Sequence, residues 1–173
     1  IAGNPAVAEH PVLGLEIPIE DPSGKAMDNL HRALRRAGAG EGQARLLFFG
    51  ASHTSSDLIT GYIRRKLQKR LGDSGHGFVM PAKPWKYYRH ADVNIKGSKD
   101  WRGLRVRASD EIEDFYGIAG TALESSSKKD FGSLFTTKDS PIGKSVSRFE
   151  LFYLRQPEGG RFDVRIDGKR VRR

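Results

Sequence analysis

Ser52 stands where a short apolar run, Arg45–Phe49, gives way to the small residues Gly50 and Ala51 and then to His53 and Thr54. A serine that attacks an acyl carbonyl needs an exposed hydroxyl on a rigid backbone, with amide hydrogens meeting the negative charge that develops. A sharp bend between a buried strand and a helix supplies both. Small residues let the chain turn, and the first N–H groups of the helix have no intrahelical partners. The spacing predicts such a bend at Gly50-Ala51-Ser52-His53, with Ser55, Ser56 or Asp57 capping the helix that follows. Ser52 is therefore the candidate nucleophile, and Gly50 and His53 are its turn and oxyanion-side support. His53 is not its base, because adjacent residues in a turn point apart. The competing reading of Ser52 is an ordinary turn or capping serine.

The elements that must position this turn are legible on both sides. Ala26, Met27, Leu30, Ala33, Leu34 and Ala37 recur at helical spacing, with Asp21 or Ser23 as cap, Pro22 in the first turn and Gly38 and Gly40 at the end. Arg45–Phe49 has the length and aromatics of a buried strand. A second helix is expected from Ser56 to Leu71, with Leu58, Ile59, Tyr62, Ile63, Leu67 and Leu71 as its apolar stripe and Gly72 as its stop. Arg64, Arg65, Lys66, Lys69 and Arg70 fill the remainder. Residues 1–20, with three prolines, read as an extended lead-in.

Past Pro81–Pro84 the texture changes from helical periodicity to alternation. Val93/Ile95, Leu104/Val106, Phe149/Leu151/Tyr153 and Phe162/Val164/Ile166 alternate with other residues. Gln156–Gly160 reads as a hairpin loop and Asp167-Gly168 as a tight turn. A boundary near residue 86 separates an α/β part, 1–85, from a mostly β module, 86–173, of sandwich type. Both parts look unfinished: one strand cannot make a doubly wound sheet, and Phe162–Ile166 has little to pair with before Arg173. The expectation is the front portion of a longer protein.

Several other residues invite chemistry. Gly72-Asp73-Ser74 repeats a nucleophile-like triplet, but it follows a helix, where carbonyl ends face Ser74 with the wrong polarity for an oxyanion. His76 and His90 have no partners at metal-ligand spacing and read as loop residues. Trp85, Tyr87, Tyr88 and Trp101 lie among Lys83, Lys86, Arg89 and Lys99, a mixture that stacks on sugars or bases, or simply packs. Ser125-Ser126-Ser127-Lys128-Lys129 reads as a solvated loop.

Composition bounds the rest. The 173 residues carry a formal net charge of +9 and no cysteine, which excludes a disulfide framework and thiolate metal sites. Residues 81–173 hold 20 Lys+Arg against 13 Asp+Glu, and residues 1–80 hold 10 against 8. The basic second half favours an anionic partner: a cell-wall polymer, a lipid surface or nucleic acid. No stretch approaches the length of a membrane span.

Gly50-Ala51-Ser52-His53-Thr54 after an apolar strand resembles the first motif block of the SGNH (GDSL-type) hydrolases, most often Gly-Asp-Ser and frequently followed by His-Thr. The run Leu71-Gly72-Asp73-Ser74-Gly75-His76-Gly77-Phe78-Val79 is similar to a bacterial cell-envelope branch of that family that includes peptidoglycan O-acetylesterases. Some members carry an inserted β-sandwich carbohydrate-binding module, which 149–154 and 162–168 resemble. The resemblance implies an α/β fold class: residues 1–85 as the start of a flavodoxin-like three-layer domain, and 86–173 as a carbohydrate-binding-like insert. It implies a serine esterase that removes acyl groups, O-acetyl above all, from a cell-wall or extracellular glycan, itself possibly anionic. It also implies an extracytoplasmic location, no cofactor and no metal. The usual Asp is Ala51 here, and the family's oxyanion Gly and Asn blocks and its late Asp-x-x-His have no counterpart. On this reading the base lies outside the chain, which alone is inactive. The alternative is a catalytically degenerate esterase scaffold that binds glycans. Nucleic-acid binding, argued from charge alone, ranks last.

Overall fold

The computed structural model describes residues 20–106 and 116–172. The expected lead-in over 1–20 lies outside these residues except for Glu20. The chain divides into two compact units, Ile1–Arg45 and Leu46–Arg173.

The first unit holds helix α1, Asp28–Gly38. Asp21 organises the turn before it: its carboxylate accepts the Ser23 and Ala26 amides at 3.1 and 2.8 Å. The helix itself starts later than the capping residues suggest. Along the helix Leu30, Ala33, Leu34 and Ala37 are the half-buried positions and the Arg side chains are exposed, as the 3.6-residue period requires. Arg35 and Arg36 lie in the last turn, favourable to the helix dipole.

The second unit opens without the expected strand. Residues 46–49 form no ladder, and Phe49 is 88 % exposed. A strand is held by hydrogen bonds to a neighbour, and among the described residues no segment bonds to 46–49. Helix α2, Ser52–Ser55, is a single turn; α3, Leu58–Leu71, follows it. Asp57, in the left-handed region at φ 57°, breaks the two apart.

Among the described residues, three two-stranded antiparallel sheets follow. They pair β1, Val93–Gly97, with β4, Gly132–Thr136; β2, Arg102–Arg105, with β3, Thr121–Glu124; and β5, Val164–Ile166, with β6, Lys169–Arg172. The first two pairings are nested, Val93 opposite Thr136 and Arg102 opposite Glu124, so 93–105 and 121–136 form the two arms of one bent ribbon. At the bend the Ser98 amide and the Trp101 indole N–H both donate to the Phe131 carbonyl at 3.0 Å. The architecture is thus mixed α and β.

Pro81–Pro84 runs across this ribbon in backbone contact. A Cβ on Gly103 would lie 2.0 Å from the Pro84 carbonyl oxygen, and one on Gly132 would lie 2.3 Å from that of Pro81. Glycine is the residue that permits such an approach. Met80, Ala82, Pro84, Val93 and Ile142 are the buried apolar residues among those described, and they come from this segment, β1 and the 140–143 turn.

Beyond residue 143 expectation and structure part. Phe149, Leu151 and Tyr153 alternate as a strand would, yet 149–154 forms none, and these side chains are 64, 51 and 60 % exposed. The turn at Gln156 does form, with the Gly159 amide donating to the Gln156 carbonyl at 3.1 Å. Across it Tyr153 and Phe162 meet edge to face at 5.3 Å. The Asp167-Gly168 turn is borne out: both residues have positive φ, 48° and 76°, the pattern of a type I′ hairpin. It supplies Val164–Ile166 with the partner that the sequence seemed to lack, Lys169–Arg172.

Candidate functional site

A Cβ on Gly50 would clash with Thr54 Oγ1 and lie 3.1 Å from Thr54 Cβ, so glycine lets the bend close on Thr54 without displacing that side chain. Ala51 is extended, at φ −83° and ψ −151°, and Ser52 begins the helical turn. The Ala51 carbonyl accepts the Thr54 and Ser55 amides; the Ser52 carbonyl accepts the Ser56 amide at 3.0 Å and Ser55 Oγ at 3.1 Å. Ser52 and His53 are exposed, and Ser52 Oγ has no hydrogen-bond partner among the described residues. The Ser52 and His53 side chains do not bond to each other. The turn therefore holds the candidate nucleophile in the open, with backbone tied down on its carboxyl side.

Immediately after the turn lies a polar nucleus that sequence reasoning missed. The Asp57 carboxylate takes both Arg64 guanidinium nitrogens, at 3.1 and 2.6 Å, the Thr60 hydroxyl at 2.6 Å and the Ala91 amide at 2.9 Å. Burial pushes its pKa up, but Arg64, the Ala91 amide and Thr60 outweigh that and hold it at about 2. Asp92, buried, receives Arg65 at 3.4 Å and lies 3.8 Å from Arg64. Gly61 stands between these groups, where a Cβ would come within 3.1 Å of Asp57 Oδ2. The spacing of Asp57, Gly61, Arg64 and Gln68 is a helical face, so the polar side of α3 turns inward. Leu58, Ile59 and Tyr62 of the expected apolar stripe are about half exposed, at 48, 51 and 58 %.

His76 and His90 do lie outside helices and strands, but they are not surface residues. His90 is buried and meets His76 edge to face at 5.7 Å. His90 Nε2 faces the His76 carbonyl at 2.9 Å and so carries the ring proton. His76 Nε2 donates to Thr136 Oγ1 at 2.8 Å, since that hydroxyl donates onward to the Gly143 carbonyl. Both Nδ1 atoms are buried without a hydrogen bond. Burial first, and the Arg64 charge second, push both imidazole pKa values down, His90 to about 4. Asp73 and His76 stand at Asp-x-x-His spacing, but the Asp73 carboxylate is spent on the Gly75 and Gly143 amides at 2.8 and 2.7 Å. Ser74 sits in the C-cap loop after Gly72, as its position predicted. Among the described residues no group of three His, Asp or Glu could hold a metal ion.

The aromatic and basic cluster divides. Trp85 and Tyr88 pack edge to face at 5.1 Å, and the Met80 amide donates to the Tyr88 hydroxyl at 3.0 Å. Trp101 is fastened at the ribbon bend. Tyr87 is 75 % exposed, with Lys86 Nζ 5.4 Å from its ring centroid. Ser56, Lys83, Lys86, Tyr87, Tyr88 and Arg89 line an open cleft of about 400 Å³. Arg89 Nε donates to the Ser56 carbonyl at 3.2 Å, so the cleft begins one helical turn beyond Ser52.

No family model, curated protein or solved structure matches this chain. No helix among the described residues is long and apolar enough to cross a membrane.

Proposed function

We propose that the protein is a serine esterase of SGNH type that removes acyl groups, chiefly O-acetyl, from a cell-envelope or extracellular glycan. The observation that carries this reading is Ser52: exposed, without a side-chain partner, and first in a helical turn entered through Gly50 and extended Ala51. In this chemistry Ser52 Oγ attacks the ester carbonyl and forms the acyl-enzyme as the sugar hydroxyl leaves with a proton; water then releases the acid. The Ser52 amide contributes to the oxyanion site; in the family that the turn resembles, the base is the His of an Asp-x-x-His. The same reading takes 1–85 as the opening of a flavodoxin-like domain, 86–173 as a sandwich-like insert, and the location as extracytoplasmic. Acetate release from an acetylated glycan by the full-length protein tests it. Ser52→Ala lowers the rate by about 10³-fold or more if Ser52 is the nucleophile; an unchanged rate refutes the assignment.

A second reading, a degenerate esterase scaffold that binds glycans, draws on two specific features. Ala51 stands where the family carries Asp, and no His or Asp side chain bonds to Ser52 Oγ among the described residues. Glycan binding without ester hydrolysis by the full-length protein would favour it.

A further inference from the structure

The cleft beside the Ser52 turn is built for negative charge. Three of its six lining side chains are cations, Lys83, Lys86 and Arg89, and none is acidic. None of the three enters an ion pair among the described residues, so their charge is not neutralised from within. The remaining lining residues are Tyr87, Tyr88 and Ser56. A site of that composition offers charge for a carboxylate, hydrogen bonds for hydroxyls and an aromatic face for a flat sugar ring.

Its backbone is fastened at several points. The Tyr88 amide donates to the Trp85 carbonyl at 3.1 Å, closing a turn that presents Lys86 and Tyr87 at its tip. Below the tip, the Trp85–Tyr88 ring pair and the Met80 amide fix the floor. Lys83 projects between buried Ala82 and Pro84, which are clamped against Gly97 and Gly103 of the ribbon. Arg89 is held by one nitrogen to the Ser56 carbonyl, and among the described residues its guanidinium makes no other hydrogen bond or ion pair. Charged groups set on fixed backbone bind with less ordering cost than mobile ones.

We infer that this cleft is a subsite for an acidic saccharide, with Tyr87 stacking on a sugar ring and Lys83, Lys86 and Arg89 receiving its carboxylate. The inference deepens the esterase reading by naming the substrate class, and rests on that reading only for the link to hydrolysis. Its volume admits one or two sugar rings, and its position places a bound chain one helical turn from Ser52.

Calorimetric titration of the full-length protein with tetragalacturonate, with cellotetraose as the neutral counterpart, tests this. The acidic probe binds and its affinity falls as salt rises, while the neutral one does not bind. Lys83→Glu with Lys86→Glu lowers the affinity at least about tenfold, and Tyr87→Ala lowers it several-fold; all three residues are exposed, so circular dichroism stays that of the parent. Equal binding of the neutral probe, or full affinity in the double charge reversal, overturns the subsite. Tighter binding of oligothymidylate than of tetragalacturonate overturns it in favour of nucleic acid. Because binding is read without turnover, its failure and the failure of Ser52 chemistry are separate results.

Discussion

Asp57 and Arg64 are joined by two hydrogen bonds, 2.6 and 3.1 Å long, along the inward face of α3. Asp57 ends the turn that begins at Ser52, and Arg64 ties it onward to Asp92 at 3.8 Å. The pair is nearly buried, with 10 and 16 % of the side chains exposed. The bend that presents Ser52 is thus attached to the rest of its unit through this charge pair, the Ala91 amide on Asp57 and Arg89 on the Ser56 carbonyl.

Removing one member of a buried pair strands the charge of the other, which costs about 3–5 kcal/mol; without Asp57, Arg64 keeps only the longer approach to Asp92 at 3.8 Å. Asp57→Asn keeps the volume and tolerates the left-handed backbone, so it isolates the charge. Its unfolding free energy in urea falls by about 3 kcal/mol or more. Adding Arg64→Leu recovers part of that loss, a coupling that a double-mutant cycle reads directly. A loss below about 0.5 kcal/mol for Asp57→Asn, the range of plain surface changes, contradicts a structural role for the pair.

Acid weakens the fold in two stages. His90 titrates at about 4 in the folded chain against 6.5 ordinarily, so as pH falls below 6.5 the unfolded chain takes up a proton that the folded one refuses. Stability then drops by about 1.4 kcal/mol per pH unit until pH nears 4, about 3 kcal/mol in all. His76, also lowered, acts in the same direction. Asp57, held at about 2 against 3.8, keeps its contribution above pH 3.8 and loses it as pH falls through 2. Urea midpoints measured from pH 7.5 to 4.5 decline in the parent and decline less steeply in His90→Gln, where the His76 contribution remains. A flat parental profile across that interval would sink the assignment of His90 as neutral and buried.

The ribbon depends on glycine at two crossings. Gly103→Ala drives a Cβ to 2.0 Å from the Pro84 carbonyl oxygen, and backbone on both sides must shift. We expect a loss of about 2 kcal/mol or more in thermal or urea unfolding. Gly160→Ala, with nothing within 4 Å, stays within about 0.5 kcal/mol. Equal effects at the two sites would remove the close approach as an explanation.

How much of this was legible in the sequence follows from which contacts are local. Helices α1 and α3 were, because stripes and stop signals lie within a few residues of each other; the single turn α2 reads in sequence as a bend. The orientation of α3 was not: Arg64 reads as a surface cation until Asp57, Ala91 and Asp92 surround it. Strands β1 and β2 showed in the alternation of Val93/Ile95 and Leu104/Val106. Strands β3 and β4 did not, since Gly132 signals a break in sequence but serves the passage of Pro81 in space. Residues 149–154 carry the right alternation and form no strand pairing among the described residues, which shows that period alone does not make a strand. The turn at Ser52 was legible as residue types and spacing; that Thr54 presses on Gly50 was not. The basic-aromatic cluster was visible as a group, but only coordinates separate exposed Tyr87 from Tyr88 with its hydroxyl fastened.

Fluorophosphonate labelling of the full-length protein, followed by peptide mass mapping, tests the nucleophile most directly. The adduct is expected on the peptide containing Ser52 and disappears in Ser52→Ala, while the unfolding midpoint stays near that of the parent, because the Ser52 hydroxyl holds nothing in place. An adduct on Ser74 or another serine, or labelling that survives Ser52→Ala, contradicts it.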